Sequence, residues 1–369
     1  MSTRGLAGAV IGGLVLFGSG LALGRFGGVR VPEPASVATA AGSPARAALA
    51  QADPRDSLVF APFNSLTNES PAGIAAARLL LRHLDGGERE PLEQALASYR
   101  ELASEENFGG EYPTLQWFCE FSLAEEGQQA VLLENDDGRR FVAFFARDRW
   151  AGFREYLKGK YGMGRFQPEQ LRFVDELVRF NSPYRQQWEH TDRILELLSV
   201  EPGMTVADIG AGAGFFSFRL AQAVGAGGRV LAVETNRHHL DYLRRVQREE
   251  GLASLEPVQT EGAFPALPPA SLDRVLLCST YQAIYLYDRE DERTAWLEAL
   301  KAALKPDGLV VISENEPVVP PGVVPYRGTS VSRPLIEGQL LAHGFELVEA
   351  DQEVPQRYLL VLKKAGAGP

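Results

Sequence analysis

From Gly203 onward the chain alternates short apolar runs with amphipathic ones: MTVADIG, FFSFRLAQAVG, RVLAVET, HHLDYLRRVQREEG, LEPVQT, LDRVLLCST, AWLEALKAAL, LVVIS, PLIEGQLLAHG, FELVEA and YLLVLKK. Strand and helix in turn imply crossover connections, which give a mostly parallel sheet covered by helices. The last two runs follow each other with no helix between them, so they are expected to pair as an antiparallel hairpin. The fold class is therefore α/β over this stretch.

The first strand, Met204 to Ile209, runs into Gly210-Ala211-Gly212-Ala213-Gly214 and then a helix. In an open α/β sheet ligands bind beyond the carboxyl ends of the strands, and a glycine turn lets the backbone approach them closely. Two familiar chemistries do not fit. A dinucleotide fingerprint requires a small residue where this chain has Phe215, and no Gly-Lys-Ser/Thr is present for a triphosphate. Asp208 stands at the end of the first strand, placed to accept hydrogen bonds or attract a cation. Glu234 ends the next strand, where a carboxylate can accept both hydroxyls of a ribose.

At these residues the sequence resembles the class I S-adenosylmethionine-dependent methyltransferases. VADIGAGAGFFS is similar to their first motif, RVLAVET with Glu234 to their acidic second strand end, and LKPDGLVVIS to their fifth strand. GFELV followed by YLLVLKK is similar to their closing hairpin. The resemblance spans about residues 183–364 and implies a Rossmann-like, seven-stranded methyltransferase sheet that binds S-adenosyl-L-methionine. It implies that Gly210, Ala211, Gly212 and Gly214 pass beneath the cofactor, that Asp208 faces its methionine portion, and that Glu234 with Thr235 holds the ribose. Many members bind the adenine amine through an Asp after the third strand. Here the text is Thr260-Glu261-Gly262-Ala263-Phe264, so Glu261 or backbone at Gly262 is left for that role. The fourth strand leads into Ser279-Thr280-Tyr281-Gln282, without the acid and histidine of related chains; Ser279 falls at the cofactor edge. Tyr281 and Gln282 are open between substrate contact and packing.

Methyl transfer from a sulfonium is an in-line displacement at an activated carbon, so proximity and orientation supply most of the acceleration. If the acceptor must lose a proton, the candidate bases are His190, Tyr281 and Glu314. His238 and His239 are adjacent on a helix and point in different directions, which argues against a metal site. Two other readings stay open: a non-catalytic Rossmann-like scaffold that recruits a partner, and an NAD-type oxidoreductase, which Phe215 opposes. The methyl acceptor is not specified by these residues. A net charge of -11, from 37 Lys+Arg against 48 Asp+Glu, disfavours nucleic acid as that acceptor and leaves a small molecule or a protein.

Ahead of this region, residues 5–24 read GLAGAVIGGLVLFGSGLALG, an uncharged run long enough to cross about 30 Å of hydrocarbon. Residues 1–28 are thus a membrane anchor or a signal segment. Retention is favoured, because Ala38-Thr39-Ala40, the small-x-small site, lies well beyond the run. Arg25 and Arg30 after it favour a cytoplasmic C-terminal side, where the cofactor is made; export after cleavage is the alternative. Residues 29–57 are a Pro/Ala-rich linker. Residues 58–162 are expected to form a smaller mixed α+β domain, with helices in AGIAAARLLLRHL and PLEQALASYRELA and a β-hairpin of AVLLEN and RRFVAFFA turning at Asp136-Asp137-Gly138. Its aromatics Tyr112, Trp117, Phe118 and Phe121 read as packed core or as a substrate-facing surface. Residues 163–199 are a helical lead-in, with Ser182 capping a helix begun by Pro183, and residues 200–369 are the cofactor-binding domain. Cys119 and Cys278 have no metal or disulfide pattern around them and read as small buried residues.

Overall fold

The computed structural model describes residues 70–105, 111–164, 168–285, 289–316, 331–352 and 357–366. The uncharged run at 5–24 and the linker lie outside the described residues, among which no helix is long and apolar enough to cross a membrane. The chain divides into two units, Met1–Gly42 and Ser43–Pro369, and all that follows concerns the second.

The described part opens with six helices: α1 (Pro71–Gly86), α2 (Arg89–Glu105), α3 (Glu111–Leu123), α4 (Glu126–Leu132), α5 (Asp136–Phe145) and α6 (Ala151–Lys160). Helix α1 starts where Ser70 Oγ accepts the Gly73 N–H at 3.1 Å, with Pro71 in the first turn, and stops at Gly87 in the left-handed region. The expected β-hairpin is not formed; its two arms are α4 and α5, and no strand occurs among the described residues of this region. The reason is local. Asn135 Oδ1 accepts from the backbone N–H of Asp137 and Gly138, so Asp-Asp-Gly forms the first turn of a helix rather than a β-turn. Asp136 and Asp137 are then favoured by the positive end of the helix dipole. A side chain at Gly138 would run into Trp117, its Cβ falling 2.5 Å from the ring, so the glycine serves helix packing. The elements of its described residues are helices, where a mixed α+β domain was expected. Its aromatics make the core: Trp117, Phe118, Phe141, Phe145 and Phe153 are all at most 3% exposed.

The lead-in comprises α7 (Pro168–Phe180), α8 (Gln186–Glu189) and α9 (Thr191–Leu198). The second expected helix is broken in two at His190, whose φ of +51° ends α8. Ser182 caps a turn, accepting from the Tyr184 N–H at 3.2 Å, and the helix begins later than Pro183.

The rest alternates as expected: β1 (Thr205–Ile209), α10 (Phe215–Val224), β2 (Arg229–Glu234), α11 (Arg237–Glu250), β3 (Leu255–Gln259), β4 (Leu272–Cys278), α12 (Tyr281–Tyr285), α13 (Glu290–Ala303), β5 (Leu304–Asn315), α14 (Arg333–Ala342), β6 (Phe345–Asp351) and β7 (Arg357–Lys364). The sheet has seven strands in the order β3-β2-β1-β4-β5-β7-β6, and only β7 runs antiparallel to its neighbours. Successive side chains of a strand point to opposite faces. Thus Val206, Val230, Leu276 and Val311 join the core shared with the N-terminal helices, while Ala207, Ile209, Val275 and Ile312 join the core under α13 and α14. Chain order reverses between β1 and β4, and the crevice beyond their carboxyl ends is where this topology places a ligand.

Candidate functional site

The turn after β1 is shaped by backbone conformations that favour glycine. Gly210 has φ +75°, and a Cβ there would fall onto Thr280. Gly214 has φ +87°, and a Cβ there would lie 2.5 Å from Leu243 and 2.6 Å from Phe218. The N–H groups of Gly210 and Ala211 donate to Val233 O at 2.9 and 3.0 Å, which folds the turn back against the end of β2. There Glu234 closes the arrangement. Its Oε2 accepts the Gly212 N–H at 2.8 Å, and its Oε1 accepts the N–H groups of Thr235 and Asn236 at 2.7 and 2.8 Å. Burial opposes ionisation of Glu234, but the His239 imidazole and these backbone donors outweigh it and hold the carboxyl down at about 2. Asp208, 2% exposed at the end of β1, goes the other way: burial pushes it up to about 6, against the Ser217 hydroxyl that donates to its Oδ2 at 2.5 Å.

These groups open onto a cleft of about 1370 Å³. Of the ten residues expected at the cofactor, Asp208, Gly210, Ala211, Gly212, Glu234, Thr235, Gly262 and Ser279 line it. Gly214 and Glu261 are not among the lining residues: Gly214 supports the turn from below, and Glu261 is exposed beside Gly262. The three candidate bases do not line it either. Tyr281 is fully buried and donates to Gln339 Oε1 at 2.5 Å, on α14, so it packs. Glu314 lies in β5, 1% exposed, and its Oε1 accepts the Gln282 N–H at 3.1 Å, which caps α12. Burial pushes Glu314 up to about 7. His190 forms the junction of α8 and α9. Gln282 is the member of the Tyr281–Gln282 pair that reaches the cleft.

Sequence reasoning overlooked the wall that closes the cleft from the lead-in: Arg172, Glu176, Arg179, Phe180, Asn181 and Arg185. Nothing in their spacing marks them, because a helix that borders a ligand and one that borders solvent carry the same polar residues. Cys278 was read as a buried apolar filler, yet it lines the cleft inside a polar cluster. Arg185 and Arg357 both point at its Sγ, at 3.5 and 3.4 Å, and both pair with Glu189. Burial pushes the Cys278 thiol up to about 12, which makes it a poor nucleophile.

An orphaned polar atom tests whether the expected cofactor fits. Asn181 is 5% exposed, and its Nδ2 donates to Ala213 O at 2.9 Å in the glycine turn. Its Oδ1 is buried with no partner among the described residues. Rotating the amide would set two carbonyl oxygens against each other, so the orientation is fixed by the network. An unsatisfied acceptor beside the turn suits an ammonium group. Together with Asp208 and Glu234, it gives the site an acceptor or anion for the cationic amino-acid end and for the ribose hydroxyls of S-adenosylmethionine, and the residues fit that group.

Residues 206–308 match the family model described as a methyltransferase domain. A nocamycin O-methyltransferase of Saccharothrix syringae is 29% identical over 131 residues, 36% of this chain and 44% of that protein. A cypemycin N-terminal methyltransferase of a Streptomyces species is 32% identical over 115 residues, 31% of this chain and 43% of that one. The chain therefore spans less than half the length of these curated relatives. Among solved structures, a SAM-dependent methyltransferase from Aquifex aeolicus has a TM-score of 0.44 and 21% identity, covering 54% of this chain and 98% of that one.

Proposed function

We propose that this chain, whose sheet domain belongs to the class I S-adenosylmethionine-dependent methyltransferase family, transfers a methyl group in the cleft beyond β1, β2 and β4. The observation that supports the reading is the closed set of contacts among Gly212, Glu234 and the glycine turn, which holds one carboxylate at the cleft, where the resemblance leads one to expect a ribose. When bound, the cofactor supplies a methyl group on a positively charged sulfur, ready for in-line attack. The chain supplies position and charge. Glu234 accepts the ribose hydroxyls, Asn181 Oδ1 and the Asp208 carboxylate face the cationic amino-acid end, and the turn excludes side chains from beneath the ligand. Ser279 lines the cleft as a cofactor-edge residue, and Gln282 lines it as the candidate contact for the acceptor. With Tyr281, Glu314 and His190 away from the cleft, rate enhancement rests on holding acceptor and cofactor in line.

The acceptor proposed is a small molecule or a protein, since the net charge of -11 repels polyanions. The two relatives are named for O- and for N-terminal methylation, so the atom methylated is left open. The uncharged run at 5–24 supports a membrane tether with this domain on the cytoplasmic side; digestion of the domain from outside sealed cells would overturn that placement. The cofactor reading is tested by thermal unfolding of the full chain with S-adenosylhomocysteine, NAD+ or ATP. A ligand at a hundredfold excess over its Kd stabilises the fold by about 2.7 kcal/mol. The rise is expected with S-adenosylhomocysteine alone; a rise with NAD+ instead would point to a different enzyme.

A further inference from the structure

His239 is 3% exposed on α11, and both ring nitrogens are buried with no hydrogen-bond partner among the described residues. Its ring packs against Phe173 of α7, centroids 5.4 Å apart. Aromatic neighbours of this kind would receive a phenyl ring equally well, and burying two polar nitrogens is unfavourable unless something compensates. The nearest polar groups are two carboxylates on different elements, at ion-pair distance. Nε2 lies 3.2 Å from Glu176 Oε2 of α7, and Nδ1 lies 3.6 Å from Glu234 Oε2 at the end of β2. Whichever nitrogen carries the proton, it faces an acceptor. Glu176 Oε1 is held in turn by Arg172 Nε at 2.9 Å, and Glu234 Oε2 is the oxygen that takes the Gly212 N–H. Arg172, Glu176, His239, Glu234 and Gly212 thus form one polar row, and every member borders the cleft.

We propose that His239 is a positioning residue: it steadies the Glu234 carboxylate for the ribose hydroxyls and latches helix α7 across the adenosine half of the cleft. The inference rests on the cofactor reading above. A carboxylate that turns freely spreads over several orientations, whereas one held by Gly212, Thr235 and Asn236 and bordered by an imidazole has its orientation set before a ribose arrives. The same ring borders Glu176 of α7, the helix that supplies Arg179 and leads into Asn181.

The test compares full-length wild type with His239→Phe, which preserves the aromatic packing, by calorimetric titration. Two probes are used, S-adenosylhomocysteine and its 2′,3′-dideoxy counterpart. Losing the latch should weaken S-adenosylhomocysteine about tenfold, the scale of one contact to a charged group. The dideoxy compound, having no hydroxyls for Glu234, should bind wild type and variant nearly equally. An equal loss for both probes would show a packing role only and overturn the proposal, as would no loss for either. Glu176→Ala removes both oxygens from the α7 side of the row and should reproduce the selective loss, so the outcome does not depend on how well His239→Phe folds. If wild type fails to distinguish the two probes, the ribose assignment of Glu234 falls, and the latch with it.

Discussion

At Gly214 a methyl group has nowhere to go. The φ of +87° is unfavourable for a side chain, and Leu243 and Phe218 occupy the space a Cβ would take. Gly214→Ala should therefore destabilise the fold by about 2–4 kcal/mol, read as a lowered Tm, from combined backbone strain and overpacking. The two raised carboxyls behave differently from one another. Asp208, at about 6, lines the cleft, and a cationic ligand bound beside it would favour its ionised form. Cofactor affinity should rise with pH up to about that value and then level off, and Asp208→Asn should flatten the profile. Glu314 faces a helix N-terminus rather than the cleft. Its folded value of about 7 exceeds the ordinary 4.5, so its protonation stabilises the fold below the ordinary value, and that stabilisation is lost as pH rises through about 7. The full loss is on the order of 3 kcal/mol. Glu314→Gln keeps an oxygen for the Gln282 N–H and removes the ionisation, so its Tm should fall less than wild type between about pH 5 and 8. That Asp208, Gly210, Gly212 and Glu234 border one cleft was legible at this scale because they sit at strand ends, where topology alone assigns a place. The candidate bases were chosen for their chemistry, and their direction depended on packing partners such as Gln339 that no local pattern reveals.

Among the elements, α7 decides how the cleft is closed. It is anchored from behind by Lys160 of α6, whose Nζ lies 2.6 Å from Asp175 Oδ1, both side chains 1% exposed. Tyr156 donates to the same oxygen at 3.1 Å, and Arg179 Nη1 approaches Oδ2 at 3.5 Å. Removing one member of a buried pair leaves an uncompensated charge, so Asp175→Ala should lose about 3–5 kcal/mol of stability. Lys160→Met with Asp175→Leu, which leaves neither member of this pair unpaired, should cost less than Asp175→Ala, the remaining cost coming from Arg179 and from Glu111, 3.7 Å from Lys160 Nζ, which each lose a neighbour. The strands were legible because apolar runs bounded by glycine and polar turns leave few alternatives, and the terminal hairpin followed from the missing helix. The segment around Asp136-Asp137-Gly138 differs from expectation because the same three residues open a β-turn or a helix, and the choice is made by the adjacent Asn135 cap and, from farther along the chain, by the Trp117 ring against Gly138.

Over the whole of the second unit, the helical region and the sheet are joined through side chains that neither could satisfy alone. Arg140, 5% exposed, makes two bonds to Glu250 of α11, at 2.7 and 2.6 Å, and stacks over Phe218. Asp137 pairs with Arg219 of α10 at 2.5 Å, and Phe144 meets Tyr242 edge-on. Calorimetric unfolding should accordingly show one transition for both regions rather than two. Taken together, the helices hold α7, α7 bounds the cleft, and the sheet presents Glu234 within it. The central claim is that this carboxylate binds the ribose of S-adenosylmethionine, and the most direct measurement is calorimetric titration of the full chain with that cofactor, wild type beside Glu234→Ala. Saturable binding is expected for wild type, weakened about ten- to a hundredfold in the variant by the loss of roughly 1.5–3 kcal/mol of charged hydrogen bonding. Binding of equal strength in both proteins, or none in a folded wild type, would contradict it.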